Sequence, residues 1–226
     1  MMVAPRAIAV IPAFREEGRI GKVVAAVRAY LPVLVIDDGS PDGTAAEAAA
    51  AGASVVRFEC NRGKGAALQA GFREARRRGY AAVITLDADG QHEPGAIPAM
   101  LAALERGADV VIGSRFKDVR GMPPHRLFSN TFSSAVISVV AGRLIRDSQT
   151  GYRGLRLAAV ECLPVSARGF DAESEILLRA ARAGARFAHV RVPTIYGDEK
   201  SKIRPLADTY RFFRVIVREL AGRLES

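Results

Sequence analysis

Short apolar runs alternate with helical patterns along the first half of this chain, and that alternation limits the fold more than any other feature. Five runs have the length of buried strands: Ala7–Pro12, Val33–Ile36, Ser54–Phe58, Ala81–Leu86 and Asp109–Gly113. Strands that are apolar throughout and separated by amphipathic helices indicate βαβ units around a mostly parallel sheet. The sequence therefore predicts an α/β fold.

The second half of the chain is less regular but continues the same elements. The predicted helices over the whole chain are Gly18–Tyr30, Thr44–Ala51, Lys64–Arg78, Gly95–Glu105, Leu127–Ile145, Ala172–Ala183 and Pro205–Leu220. Two further strands are predicted at Arg153–Leu157 and Arg186–Val192. A chain of 226 residues without an internal repeat or linker is expected to form one domain with a tail.

Two carboxylates, Asp87 and Asp89, stand where an apolar strand ends. Side chains two residues apart share one face of a strand, and Gln91 continues that spacing with an amide oxygen. Three hard oxygen donors are typical of a Mg²⁺ or Mn²⁺ site that keeps positions open for a diphosphate. An isolated Asp-x-Asp is more often a solvated turn. However, Pro12 and Asp38 also fall at strand ends, which is where open α/β sheets bind ligands.

The positive net charge of the chain indicates an anionic partner. The net charge is +9 and the pI is about 10.1, which indicates nucleic acid, a membrane surface or a phosphorylated substrate. The sequence has no Trp, no zinc-ligand spacing and no RNA-binding signature. We therefore expect no nucleic-acid partner.

The expected compartment is the cytoplasm. Cys60 and Cys162 lie in separate segments, and two free, buried thiols are typical of a reducing compartment. The start of the chain, Met1–Arg6, lacks the apolar core of a signal peptide. The longest apolar stretch, Ala135–Ala141, is far below the roughly 20 residues of a membrane span. A soluble or peripheral protein is expected.

Five motifs follow one another along the chain: Pro12–Glu17 (PAFREE), Asp37–Thr44 (DDGSPDGT), Asn61–Leu68 (NRGKGAAL), Asp87–Pro94 (DADGQHEP) and Gly113–Arg115 (GSR). With these motifs in this order, the chain resembles a family 2 glycosyltransferase of the GT-A fold. Three later segments resemble the branch that makes dolichol-phosphate or polyprenol-phosphate sugars: Asp147–Arg153, Phe170–Leu177 and Tyr196–Lys202. The resemblance implies one GT-A domain over residues 1–203, followed by an amphipathic, basic tail over residues 204–226.

The resemblance also implies which residues bind the donor nucleotide. They are Pro12, Ala13, Phe14, Glu16, Asp38, Lys64 and Asp87. The first four lie where the family wraps the base and ribose, and Asp38 lies where an aspartate hydrogen-bonds the base. Two alternatives stay open, because Asp38 precedes a glycine and is compatible with a simple turn, and a lone Gly-x-Gly around Lys64 is a weak phosphate signal.

The metal predicted by this resemblance is Mg²⁺ or Mn²⁺. Asp89 would bind it directly, with Asp87 and Gln91 completing or supporting the site. The ion neutralises the nucleoside-diphosphate leaving group as the glycosidic bond breaks. His92, next to these residues, is expected to have a structural or supporting role.

The acceptor decides what activates the nucleophile. A lipid phosphate is already anionic and needs positioning and charge compensation, whereas a hydroxyl acceptor requires a general base. Arginine suits bidentate phosphate contacts. The resemblance implies that the acceptor and phosphate-binding residues are Arg115, Arg126, Ser129, Arg153 and Lys202. It also implies that the catalytic residues are Asp89, Arg115, Arg126 and Asp147. Asp147 and Glu173 are the candidate bases for a hydroxyl acceptor.

The predicted function is inverting, metal-dependent transfer of a hexose from a GDP- or UDP-sugar to a polyprenyl phosphate. A peripheral position at the inner face of an anionic membrane follows from that acceptor. The tail segment Asp208–Arg223 interleaves four arginines with apolar residues at helical spacing, so it either packs on the domain or lies on lipid.

Three alternatives remain open. The same donor chemistry with a saccharide or metabolite hydroxyl as acceptor is supported by the lack of membrane spans. A sugar nucleotidyltransferase would need a basic, Gly-rich loop after the first strand, where this chain has Pro12–Glu17. A non-catalytic module that binds nucleotide sugars is disfavoured because both metal carboxylates are present.

Overall fold

The protein forms a seven-stranded sheet with helices on both faces. The computed structural model describes residues 6–115, 124–160, 163, 171–193, 212–219 and 221, without the side chains of 124–126. The strands are β1 (Ala7–Ala13), β2 (Val33–Asp37), β3 (Ser54–Arg57), β4 (Ala82–Thr85), β5 (Val110–Ser114), β6 (Arg153–Arg156) and β7 (Phe187–Arg191). All seven begin and end within one residue of the predicted strands, and β4 is one residue shorter at each end.

The helices also follow the predicted pattern. They are α1 (Ile20–Arg28), α2 (Thr44–Ala50), α3 (Lys64–Arg77), α4 (Ile97–Glu105), α5 (Pro124–Ala141), α6 (Leu157–Val160) and α7 (Asp171–Arg182), and a 3-10 turn over Pro94–Ala96 leads into α4. The predicted helix Leu127–Ile145 corresponds to α5, which ends four residues earlier than expected. Its end coincides with Gly142, whose φ of 63° is a left-handed conformation that commonly terminates helices.

The strand order is β3-β2-β1-β4-β6-β5-β7. The pairs β1–β2, β1–β4, β2–β3 and β5–β7 are parallel, whereas β6 runs antiparallel to both β4 and β5. The predicted α/β fold with a mostly parallel central sheet is confirmed. As a result, the carboxyl ends of the six parallel strands and the amino end of β6 lie along the same edge of the sheet.

Each face of the sheet carries its own apolar core. Helices α1 and α4 cover one face, with buried side chains such as Ile20 and Met100. Helices α3, α5 and α7 cover the other, with side chains such as Phe72, Ile137 and Leu177. Cys60, predicted to be buried, is exposed, so the expectation of a buried thiol is wrong there. Cys162 lies outside the described residues.

The described part of the tail, residues 212–219, is helical and is called the C-terminal helix below. Val215 and Ile216 are buried in the same core as α7, whereas Phe213 and Val217 are exposed. The rest of the predicted helix Pro205–Leu220 lies outside the described residues, and the boundary between residues 203 and 204 stays a prediction. Among the helices that the structure describes, none combines the length and hydropathy needed to cross a bilayer.

Candidate functional site

Polar side chains gather at the carboxyl edge of the sheet. Asp38 follows β2, Asp87 lies two residues beyond β4, and Arg115 follows β5. The loop over residues 147–152 reaches the same edge because it precedes the antiparallel strand β6. The sheet topology therefore brings four motifs that are distant in sequence to one side of the molecule.

Asp87 lies at the centre of a compact charged cluster. Its Oδ1 is 2.5 Å from Lys64 Nζ, at the first residue of α3, and its Oδ2 is 3.1 Å from His92 Nε2. Lys64 Nζ is also 3.0 Å from Oε1 of Glu173, in the first turn of α7. The cluster joins residues from three separate segments of the chain.

The ionisation of this cluster follows from its charges. Burial alone would raise the pKa of Asp87, but the Lys64 ammonium and the His92 hydrogen bond lower it far below its usual value. Burial alone would lower the pKa of Lys64, but Asp87 and Glu173 together raise it. Asp87 and Lys64 are therefore both charged at neutral pH.

The backbone of the loop before β6 packs directly against Asp87. A Cβ at Gly151 would lie 2.5 Å and 2.6 Å from the two carboxylate oxygens of Asp87, so a larger residue there would require the Asp87 side chain to move. Thr85 Oγ1 donates a hydrogen bond to the Gly151 carbonyl at 2.7 Å. Next to it, the Tyr152 ring lies 5.1 Å from that of His92. The prediction did not include Gly151, Thr85 or Tyr152, because nothing in their local sequence links them to Asp87.

The predicted metal ligands have the donor chemistry of a hard divalent cation. Asp87 and Asp89 are half-buried, and Asp89 Oδ1 accepts a hydrogen bond from the Gln91 backbone N–H at 3.0 Å. Among the described residues, no three His, Cys, Asp or Glu side chains cluster as a metal site. The predicted set contains only two carboxylates, and its third donor is the amide of Gln91, so it is not a cluster of that kind. Asp87, Asp89 and Gln91 fit Mg²⁺ or Mn²⁺ by donor type, and their role stays a prediction.

The predicted donor-binding residues lie along β1 and β2. Pro12 and Ala13 end β1 and Phe14 follows them. The buried Glu16 pairs with Arg19, its Oε2 lying 3.1 Å from Arg19 Nε. These residues line the same sheet edge as Asp87, and a nucleotide contact for each of them stays a prediction.

Asp38 connects two of the sequence motifs. Its Oδ1 accepts a hydrogen bond from the Arg62 backbone N–H at 2.7 Å, and its Oδ2 accepts one from Gly63 at 2.8 Å. Burial, opposed by these two hydrogen bonds, raises the pKa of Asp38. Asp38 therefore holds the segment that leads into α3 and Lys64 against the turn after β2.

Arg115 and Asp147 form a bidentate pair. Arg115 Nε and Nη2 donate to Asp147 Oδ2 and Oδ1 at 2.8 Å and 3.0 Å, and the Arg115 backbone N–H donates to Oδ2 at 3.2 Å. Asp147 is fully buried. Both residues are at the predicted edge, but Asp147 is held in an ion pair rather than placed as an uncompensated base.

Arg153 is buried, and its side chain stabilises the loop before β6 through hydrogen bonds. Its guanidinium donates to the carbonyls of Thr150, Glu173 and Ser148 at 2.9, 2.7 and 2.8 Å. Burial lowers its pKa. Its side chain is buried and bonded to these backbone carbonyls, an arrangement that differs from the predicted phosphate contact.

Three other predicted acceptor residues are described less fully. Ser129 is exposed on α5. The backbone of Arg126 belongs to α5, but its side chain lies outside the described part. Lys202 lies outside the described residues altogether.

Comparisons with known proteins agree with this architecture. The family model described as glycosyl transferase family 2 matches residues 8–163. Polyprenol monophosphomannose synthase of Mycolicibacterium smegmatis is 32% identical over 238 residues, covering 97% of this chain and 89% of that protein. Undecaprenyl-phosphate mannosyltransferase of Micrococcus luteus is 33% identical over 201 residues, covering 83% and 82%.

A solved structure gives the same fold. Glucosyl-3-phosphoglycerate synthase from Mycobacterium tuberculosis, in complex with Mn²⁺, uridine diphosphate and phosphoglyceric acid, superimposes with a TM-score of 0.73. The match covers 97% of this chain and 78% of that one at 22% identity. The carboxyl edge described above thus belongs to a fold shared with that protein.

Proposed function

This chain belongs to glycosyl transferase family 2, and from that membership we propose that it transfers a hexose, with inversion, from a nucleoside-diphosphate sugar to a polyprenyl phosphate. The two relatives described above are named as a polyprenol monophosphomannose synthase and an undecaprenyl-phosphate mannosyltransferase. They cover most of this chain, so the proposal takes its acceptor class from them and its residues from the site.

The observation that carries the proposal is the state of the two candidate bases. Asp147 is held by Arg115, and Glu173 lies against Lys64. Both carboxylates are therefore engaged in an ion pair with a cation, and this geometry presents neither of them to an acceptor hydroxyl as a general base. A phosphate acceptor needs no such base, because its oxygen is already anionic. This supports the lipid phosphate over a hydroxyl acceptor.

We propose that Asp87, Asp89 and Gln91 hold Mg²⁺ or Mn²⁺ in the working enzyme. When bound, the ion supplies charge neutralisation for the leaving diphosphate. The residues of the chain hold these ligands in place: His92 and Lys64 keep Asp87 ionised and oriented, and Asp38 positions the start of α3. Arg115 is held rigidly at the acceptor side by Asp147.

The direct test of this function is a product analysis. The protein is incubated with a panel of GDP- and UDP-hexoses, Mn²⁺ or Mg²⁺, and a short polyprenyl phosphate. We expect release of nucleoside diphosphate that depends on the lipid phosphate, together with a glycosyl lipid. A glycosylated metabolite, a newly made nucleotide sugar or no product would each contradict the proposal and support one of its rivals.

Arg126 provides a residue-level test of the acceptor side. Arg126→Ala is expected to raise the KM for polyprenyl phosphate about 10- to 100-fold, because a charge-assisted hydrogen bond to phosphate contributes about 1.5–3 kcal/mol. The dissociation constant of the nucleotide should be unchanged. Arg143→Ala, which removes an exposed arginine in the segment after α5, should likewise leave this constant unchanged. Arg115→Ala should act in the same direction, and combining it with Asp147→Asn avoids leaving a buried carboxylate unpaired. Loss of nucleotide affinity alone would place Arg126 and Arg115 in the donor site.

We also propose that the enzyme works at the surface of an anionic membrane. Helix α5 exposes Phe128, Phe132 and Val139, which are 74%, 49% and 80% accessible. Their spacing of four and seven residues places them along one side of the helix. Together with the net charge of +9, this apolar stripe fits the interface of an anionic leaflet, where the acceptor resides.

Replacing both aromatic rings tests that surface. Phe128→Ser/Phe132→Ser should weaken sedimentation with vesicles rich in anionic lipid by at least about tenfold, since each buried Phe contributes about 1.5–3 kcal/mol. Tyr30→Ser is a matched control, because Tyr30 is 44% exposed in the segment after α1. Unchanged sedimentation of the double variant would show that α5 is not the contact surface.

A further inference from the structure

We propose that Lys64 and Glu173 form a positioning pair that keeps a divalent cation off Asp87 until the nucleoside diphosphate arrives. The inference rests on the proposed function in one respect, namely that Asp87 helps to hold the metal. It goes beyond that function by making metal binding depend on the nucleotide.

The geometry places one ammonium between two carboxylates. Lys64 Nζ is 2.5 Å from Asp87 Oδ1 and 3.0 Å from Glu173 Oε1. The side chains of Lys64 and Glu173 are 17% and 7% exposed, so solvent screens the three charges only weakly. Lys64 therefore lies at an oxygen of Asp87 that the metal would also use.

The two ends of the pair are held by the fold. Lys64 is the first residue of α3, and Asp38 fixes the segment before it through its bonds to Arg62 and Gly63. Glu173 lies in the first turn of α7, and its carbonyl accepts a hydrogen bond from Arg153 at 2.7 Å. The ammonium is thus directed at Asp87 by two anchored elements.

The charges determine the consequence. A divalent ion at Asp87 would be within a few ångströms of the Lys64 ammonium, and the two cations would repel each other in a poorly screened site. A diphosphate brings negative charge that compensates both the divalent ion and the Lys64 ammonium. Glu173 then provides a second partner for Lys64 when Asp87 turns to the metal, so that the ammonium is not left buried and unpaired.

The test measures Mn²⁺ binding by electron paramagnetic resonance on the full chain, without acceptor, in the absence and presence of UDP or GDP. Lys64→Gln should bind Mn²⁺ alone about tenfold more tightly than the wild type, because the variant removes the repulsion between the ammonium and the metal ion. Lys64→Arg keeps the positive charge and should bind Mn²⁺ as weakly as the wild type. Removal of a merely structural lysine would leave the synergy between Mn²⁺ and the diphosphate unchanged.

Glu173→Gln tests the second partner. It should weaken Mn²⁺ binding in the presence of the diphosphate about tenfold. The reason is that Lys64 then lacks its second anionic partner and stays paired with Asp87. The double variant Lys64→Gln/Glu173→Gln retains the net charge of the pair, which protects against misfolding. It should bind Mn²⁺ alone more tightly than the wild type and less tightly than Lys64→Gln.

Equal affinity for Mn²⁺ alone in the wild type and Lys64→Gln, or tight binding by Lys64→Arg, would overturn the positioning pair while leaving the proposed function intact. Failure of the wild type to bind Mn²⁺ even with UDP and GDP would overturn both. Synergy between Mn²⁺ and the diphosphate that disappears in Lys64→Gln is the result we expect.

Discussion

Asp89→Ala is expected to abolish glycosyl transfer and leave the fold intact. The loss should be at least about 10³-fold in rate, or roughly 4 kcal/mol of transition-state stabilisation, because the leaving diphosphate would lose its metal. Asp89 is half-buried and accepts a local hydrogen bond from Gln91, so its removal should cost only about 1 kcal/mol of folding stability. Release of nucleoside diphosphate and the thermal midpoint measure the two effects separately.

Asp42→Ala is the matched control for this experiment. Asp42 Oδ1 accepts a hydrogen bond from the backbone N–H of Thr44, two residues on, as Asp89 does from Gln91. The same kind of turn is therefore perturbed without touching the Asp-x-Asp motif, and turnover should stay near the wild-type rate. Full activity of Asp89→Ala, or of the wild type in excess chelator, would contradict the metal-dependent mechanism.

Arg153→Met is expected to cause the largest loss of stability. The Arg153 side chain is buried and bonds three backbone carbonyls, those of Ser148, Thr150 and Glu173. Each carbonyl left unsatisfied costs about 1–3 kcal/mol, so we expect the free energy of unfolding to fall by roughly 3–5 kcal/mol, a large part of the typical 5–15 kcal/mol.

Urea denaturation of the purified protein measures this loss. Arg106→Met removes an exposed arginine at the end of α4 and should change the free energy of unfolding by no more than about 0.5 kcal/mol. If Arg153→Met unfolds at the same urea concentration as the wild type, water or a rearranged loop satisfies the three carbonyls and Arg153 is not structural.

The fold could be predicted wherever the local pattern was strong. The runs that became β1, β2 and β4 are almost entirely apolar because both of their faces are covered, and a buried parallel strand has that signature. The order of the strands was not predictable. β6 has the sequence Arg-Gly-Leu-Arg, which does not show that it enters the sheet antiparallel between β4 and β5.

Sequence motifs predicted which residues lie at the site, but they did not predict which side chains bond to one another. Asp87, Asp89 and Arg115 could be placed at the carboxyl edge because strand ends are local features. Arg153 could not be assigned, since an arginine that meets phosphate and one that meets buried carbonyls look alike in sequence. Glu173 posed the same problem, because a base and an ion-pair partner are both carboxylates. Only the packing of α7 beside α3 distinguishes the two roles.

The antiparallel insertion of β6 has a consequence for how the chain folds. The half-sheet β3-β2-β1-β4 is built from the first 85 residues through local βαβ units, whereas Thr85 pairs with Arg153 and Val110 with Phe187. Such distant pairings close long loops and form slowly. During synthesis, the edge of β4 therefore stays unpaired until β6 has been made, and an unpaired apolar edge is open to other chains. The half of the sheet that carries Arg115 and Asp147 is completed last, so we expect the proposed acceptor side of the site to form after the proposed donor side.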